Sequence, residues 1–135
     1  MRSERGSVTL LLLAVAGLVV MLTLGVADAG IALAARLQAA AAADAAALAA
    51  APVTFRPFGA DGSPAAEAQR LAAANGAVLS RCTCPVDRTW GSRVVEVEVE
   101  RRVALFGVGT ITVRASSRAE FAPTLLLEGV PSNGT

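Results

Sequence analysis

The chain has 135 residues, 54% of them hydrophobic, and a mean hydropathy of +0.57, which is high for a soluble domain and points to a membrane protein, an alanine-rich one, or both. A net charge of +1 offers no basic field for nucleic acid and no acidic tail for a charged partner. Histidine and tyrosine are absent, so the usual general base and the commonest metal ligand are missing. All 12 basic residues are arginine, and with so much alanine, glycine and valine this usage points to a GC-rich genome.

From Gly6 to Ala27 no residue is charged, and most are Leu, Val or Ala. As a helix, residues 7–27 would span about 32 Å, against a hydrocarbon core of about 30 Å. A secretory signal is the competing reading, because Ala27-Asp28-Ala29 carries small residues where signal peptidase cuts. The apolar run is longer than a signal core, and the helical pattern continues through that site. Arg2 and Arg5 precede the span and only Arg36 follows it nearby. The N-terminus is therefore expected in the cytoplasm and residues 28–135 outside it, with the span in the inner membrane.

Alanine, the strongest helix former, dominates the next residues up to Ala51. Pro52 disfavours helix at Ala51 and is expected to end it. The simplest expectation is one helix over residues 7–50, about 66 Å long, half in lipid and half projecting. In the outer half Leu33, Leu37 and Leu48 fall within about 60° of one another on a helical wheel, and Asp44 shares that stripe. Asp28 falls on the opposite side. Small side chains let helices approach closely, so the helix should pack against other helices or against its own C-terminal domain. Asp28, Arg36 and Asp44 are the candidate assembly residues. An acid on an alanine-rich surface is costly unless paired, and Arg36 of a neighbour, a chain terminus or water would each pair it.

Residues 52–63 read as loop. Ser63 and Pro64 give an N-cap and an N1 proline, opening a second helix over residues 64–74 that Asn75-Gly76 should stop. Residues 77–82 read as a short strand. In residues 94–103, Val95, Val97 and Val99 alternate with Glu96, Glu98 and Glu100. A third strand over 110–120 can place Ile111, Val113 and Ala115 with the valines, and Arg114 and Arg118 beside the glutamates, with a turn near residues 105–109. The fold class is α+β: a long membrane helix continuing outside, a short helix and a small antiparallel sheet over residues 64–122, then a flexible tail, 123–135. The glutamate row reads as a solvated face, and Trp90 as packing over the sheet edge or as a partner anchor.

Cys82 and Cys84 are the two cysteines. A Cys-x-Cys pair alone supplies too few ligands for zinc. Outside the cytoplasm disulfides persist, and strand positions two apart lie about 6.5 Å from each other, near the upper limit for bridging unless Pro85 bends the chain. A tight disulfide, free thiols and an intermolecular bridge stay open. No nucleophile–base pair, metal cluster or glycine-rich phosphate loop can be assembled, so no enzyme, catalytic residue, cofactor, metal or small-molecule substrate is expected.

Arg5-Gly6-Ser7 before a long apolar helix, then Gly25-Val-Ala-Asp28-Ala-Gly30, Arg36-Leu37-Gln38 and Asp44-Ala-Ala-Ala-Leu48-Ala, resemble the N-terminal region of TadE/TadG-like proteins. These are minor pilins, or pseudopilins, of the tight-adherence (Flp) pilus machinery. Ala72-Ala-Ala-Asn75-Gly76-Ala, Leu79, Cys82 and the alternating valines resemble the small TadE-like proteins of actinobacteria. The resemblance implies insertion in the inner membrane, cleavage by a prepilin peptidase between Gly6 and Ser7, and assembly with other pilin-like subunits and Tad secretion proteins. Leu11 stands where prepilin substrates usually carry glutamate, and Ser63 and Pro64 stand where relatives often carry a further cysteine. A membrane-anchored or secreted binding domain, released by signal peptidase near Ala29, is the alternative.

Overall fold

Residues Glu4–Val53 form a single helix, α1. The computed structural model describes residues 4–56 and 62–128, and α1 carries the rest of that structure along its outer half. Helix α2 (Pro64–Ala74) and strands β1 (Val78–Thr83), β2 (Arg93–Leu105) and β3 (Gly109–Phe121) follow, and one turn of helix, α3 (Leu125–Glu128), closes the described chain. The strands make one antiparallel sheet in the order β1-β2-β3. The architecture is α+β.

Helix α1 exceeds the expected bounds at both ends. Residues 4–6, expected as a leader, are already helical, and Pro52 lies inside the last turn. Proline near a helix end removes one donor without blocking the remaining turn. The helix stops two residues later, where the Thr54 hydroxyl donates to Ala51 O at 2.6 Å and the Thr54 amide donates to the same oxygen at 3.2 Å. The rest of the expected leader, residues 1–3, lies outside the described residues, as do loop residues 57–61 and tail residues 129–135. Within the stretch expected as a flexible tail, Pro123 is fully buried and α3 follows it.

Helix α2 has the expected bounds. Ser63 occupies the N-cap, but its hydroxyl makes no capping bond; the Ser63 carbonyl accepts from the Glu67 amide instead. At the C-terminus, Ala77 N–H donates to Ala72 O at 2.9 Å and Gly76 N–H to Ala73 O at 3.0 Å, the two bonds of a Schellman motif. Gly76 sits at φ +70°, and a Cβ there would meet the Arg101 guanidinium, which itself donates to the Asn75 and Gly76 carbonyls.

Period-two alternation sets the sheet. Val95, Val97 and Val99 are wholly buried against alanines of α1, with Ala68 and Ala72 of α2 in the same cluster. Each such valine contributes about 1.5–3 kcal/mol on burial. On the other face Glu96 pairs with Arg118 at 3.2 Å and Glu100 with Arg114 at 2.7 Å, in the register that aligns β2 and β3 without a bulge from Arg93↔Phe121 to Leu105↔Gly109.

The hairpin follows the helix. Val95–Val99 lie against the C-terminal part of α1, with Ala46 and Ala50 in their cluster. Farther along, Val103, Ile111 and Val113 pack with Ala35 and Ala39. The turn itself meets Asp28. The β2–β3 hairpin thus runs down the outer half of α1, and its turn lies where the apolar segment begins.

Candidate functional site

The candidate site is the surface of α1, and its two halves differ in chemistry. Residues 6–26 are exposed all round, presenting leucine and valine on every side. This is the one segment among the described residues that is long and apolar enough to cross a membrane. In the outer half, the alanine face of Ala35, Ala39, Ala42, Ala43, Ala46 and Ala50 is buried under the chain's own sheet and α2. Methyl side chains permit that approach; anything larger would hold the valines of β2 away.

The leucine stripe points elsewhere. Leu33, Leu37 and Leu48 are 60%, 66% and 68% exposed. Asp44 is exposed on the same stripe and makes no hydrogen bond or ion pair among the described residues. Arg36 is likewise exposed and unpaired among them; with Leu33 and Ala40 it lines a groove of about 660 Å³ between α1 and β3, closed on the far side by Ile111, Val113 and Ala115. β3 is an edge strand, and Arg114 and Arg118 on its wet face make it a poor template for indiscriminate strand pairing.

Asp28 differs from Arg36 and Asp44. Its carboxylate accepts from the Phe106 amide at 2.7 Å and the Gly107 amide at 2.9 Å. A Cβ at position 107 would come within 3.2 Å of the Asp28 carboxylate, so glycine permits this close approach. Asp28 therefore has a partner inside its own chain, at the level where the apolar segment ends.

Cys82 and Cys84 are joined in a disulfide with Cα atoms 5.4 Å apart, and both pack against the core. Nearby lies a group that the sequence reading missed. Buried Arg93 donates to the carbonyl oxygens of Thr54 at 3.2 Å, Asp87 at 2.7 Å and Gly91 at 3.0 Å, and to Thr89 O, while its guanidinium lies 5.5 Å from the Phe55 ring centre. It fastens the end of α1 to the loop before β2. Its signal was parity: Arg93 is in step with Val95, Val97 and Val99 and so belongs to the inward face. Trp90 packs edge-on against Phe55 with ring centres 4.9 Å apart, and the Phe121 ring lies tilted to Phe55 at 6.2 Å. In the same loop the Thr89 hydroxyl and amide hold the Asp87 carboxyl below its ordinary pKa.

Among the described residues, no group of three His, Cys, Asp or Glu side chains is placed to hold a metal ion. No curated protein and no solved structure matches the chain. Residues 6–53, which are α1 from its first apolar turn to its end, match the Flp pilus-assembly TadE/G-like family. The residues bearing the actinobacterial resemblance, from Ala72 to the alternating valines of β2, lie outside that match. That match, and one N-terminal helix long and apolar enough to cross a membrane, support a single-pass membrane protein with a pilus-related role. Through α1, the chain is similar to the TadE/G-like Flp pilus-assembly family.

Proposed function

We propose that the protein is a structural subunit, a minor pilin or pseudopilin of a Flp/Tad-type pilus or a related secretion apparatus, and that it works by helix packing. The observation that carries this reading is the division of α1: its alanine face is occupied by its own domain, while the apolar segment and the leucine stripe beyond it stay open. In the membrane, residues 6–27 pack beside the helices of other pilin-like subunits, where small residues such as Gly17 and Gly25, with open space around them, admit close approach. Outside, Leu33, Leu37 and Leu48 meet a neighbouring subunit, and exposed Asp44 and Arg36 supply opposite charges for setting its register. Arg2 and Arg5 keep the N-terminus in the cytoplasm. Prepilin-type cleavage between Gly6 and Ser7 would free a helix that starts within its apolar segment. Signal-peptidase release near Ala29 fits less well, because α1 runs unbroken through residues 27–29 and the cut would fall beside the carboxylate that holds the hairpin turn.

The test is co-purification from detergent-solubilised native membranes. The parent chain should bring down other pilus components. A Leu33→Asp, Leu37→Asp, Leu48→Asp variant should lose them while keeping its thermal stability. Recovery of the intact chain as a soluble monomer without detergent, or unchanged capture by the triple variant, would overturn the proposal. Intact mass of the native protein decides between a start at Met1, at Ser7 and near Ala29, and protease added to spheroplasts should digest residues 53–135 from outside.

A further inference from the structure

The turn of the β2–β3 hairpin carries two of the most exposed apolar side chains outside the membrane segment, Phe106 at 75% and Val108 at 74%. Alone, such residues are unremarkable on a surface. Their position makes them informative. The Phe106 and Gly107 amides are bonded to Asp28, and Asp28 is the first charged residue after an uncharged run that begins at Gly6. If residues 6–27 span the bilayer, as the proposed function holds, they cover about 33 Å, slightly more than the hydrocarbon thickness of about 30 Å. Asp28, and with it the hairpin turn, then lies at the boundary between acyl chains and headgroups.

We infer that the hairpin turn is a second membrane contact, with Phe106 and Val108 seated in the lipid surface beside the point where α1 leaves it. Three features fit a lipid partner. The exposed side chains are apolar, and the turn that bears them is bonded to Asp28, just past the exposed leucine and valine surface of the span. Backbone groups near lipid must be satisfied without water, and Asp28 does this for two amides of the turn. The turn, residues 105–109, contains no charged side chain, whereas Arg101 and Arg102 stand farther up β2. The same carboxylate gains, because a charge at the hydrocarbon edge is costly unless donors face it. Two attachment points, the helix and the turn, would hold the outer half of α1 and its leucine stripe at a fixed tilt to the membrane, which is what lateral assembly of identical orientation needs.

The experiment uses the full chain reconstituted in phosphatidylethanolamine–phosphatidylglycerol vesicles, with Trp90→Phe removing the native indole. Single tryptophans are then placed by Phe106→Trp at the turn, Ser116→Trp on exposed β3 and Val15→Trp in the span. The expected result is a blue-shifted emission and loss of intensity with lipids brominated near the headgroup for Phe106→Trp, neither change for Ser116→Trp, and strong loss with deeply brominated lipids for Val15→Trp. A quenched Val15→Trp with an unquenched, water-like Phe106→Trp would overturn the lipid contact and leave the membrane helix standing. An unquenched Val15→Trp would overturn both. Equal quenching at Phe106→Trp and Ser116→Trp would mean that the whole hairpin lies on the membrane, and would overturn a contact confined to the turn.

Discussion

The two halves of α1 are both helix and both apolar, yet they solve different problems. The inner half is leucine and valine, exposed on every side. Branched side chains there suit lipid tails or other helices, and nothing among the described residues covers them. The outer half is alanine, and it is covered along one face by valines of β2 and alanines of α2. Small size in one half serves intramolecular packing; bulk in the other serves the surroundings. A helix that looks uniform in secondary structure is thus divided by what each half touches, and Asp28 marks the border by bonding the hairpin turn.

The strongest test of that division is one substitution made twice. Ala46→Leu would force three extra heavy atoms between α1 and the sheet, where Ala46 has no exposure, and should destabilise the domain by about 1–3 kcal/mol. Ala14→Leu, in the exposed inner half, should change stability by less than about 0.5 kcal/mol. Thermal unfolding in detergent micelles measures both. Similar losses at the two positions would remove the distinction. The border comes next in size. Asp28→Ala deprives two amides of their acceptor and should cost about 1–3 kcal/mol. Hydrogen exchange should speed at Phe106 and Gly107 while remaining slow at Val97 and Val99.

Much of the fold was legible because its signals are local. Strict alternation from Val95 to Glu100 dictates a strand with one wet face, and the arginines of β3 then find their glutamates by register. Ser63-Pro64 and Asn75-Gly76 bound α2, although capping at Ser63 goes through the backbone rather than the hydroxyl. The docking face of α1 was not legible. When alanine lies on nearly every side of a helix, periodicity cannot mark an inner face, and the eye goes to the leucines. Those leucines turned out to face away from the domain, because only alanine permits the valine sheet to approach. Asp28 and its amides are separated by nearly eighty residues in sequence, and the bond depends on the hairpin lying along the helix, which no local pattern encodes. Pro52 misled for a related reason: its effect on the preceding residue is a bias, and the bonds Thr54 makes to Ala51 complete the turn despite it.

The leucine stripe separates folding from assembly more finely. Leu37→Asp adds a charge to a side chain that is already two-thirds exposed, so unfolding should move by no more than about 0.5 kcal/mol. Its effect should appear in the yield of co-purified pilus components instead. A large stability loss would mean that the stripe is covered within the chain, and the outer half would then have no open face.

The smallest effect expected concerns acid, and it too divides the molecule. Between Gly6 and Ala27 there is no group to titrate, whereas the outer domain holds Asp87 with its carboxyl lowered by the Thr89 hydroxyl and then by the Thr89 amide. A lowered folded-state pKa means that the ionised form is favoured by folding. This stabilisation is complete above the ordinary carboxylate pKa and is lost as pH falls through the lowered one. Acid should therefore loosen the loop before β2, where Arg93 also gathers the Asp87 and Thr89 carbonyls, and leave the apolar half of α1 helical. Asp87→Asn should flatten the acid limb of the stability curve, read from the Trp90 emission and from helix signal in parallel. Because the carboxyl is fully exposed, the change is small. Its value lies in location: if acid altered the helix signal before the indole, the two halves of α1 would not be as independent as their contacts make them.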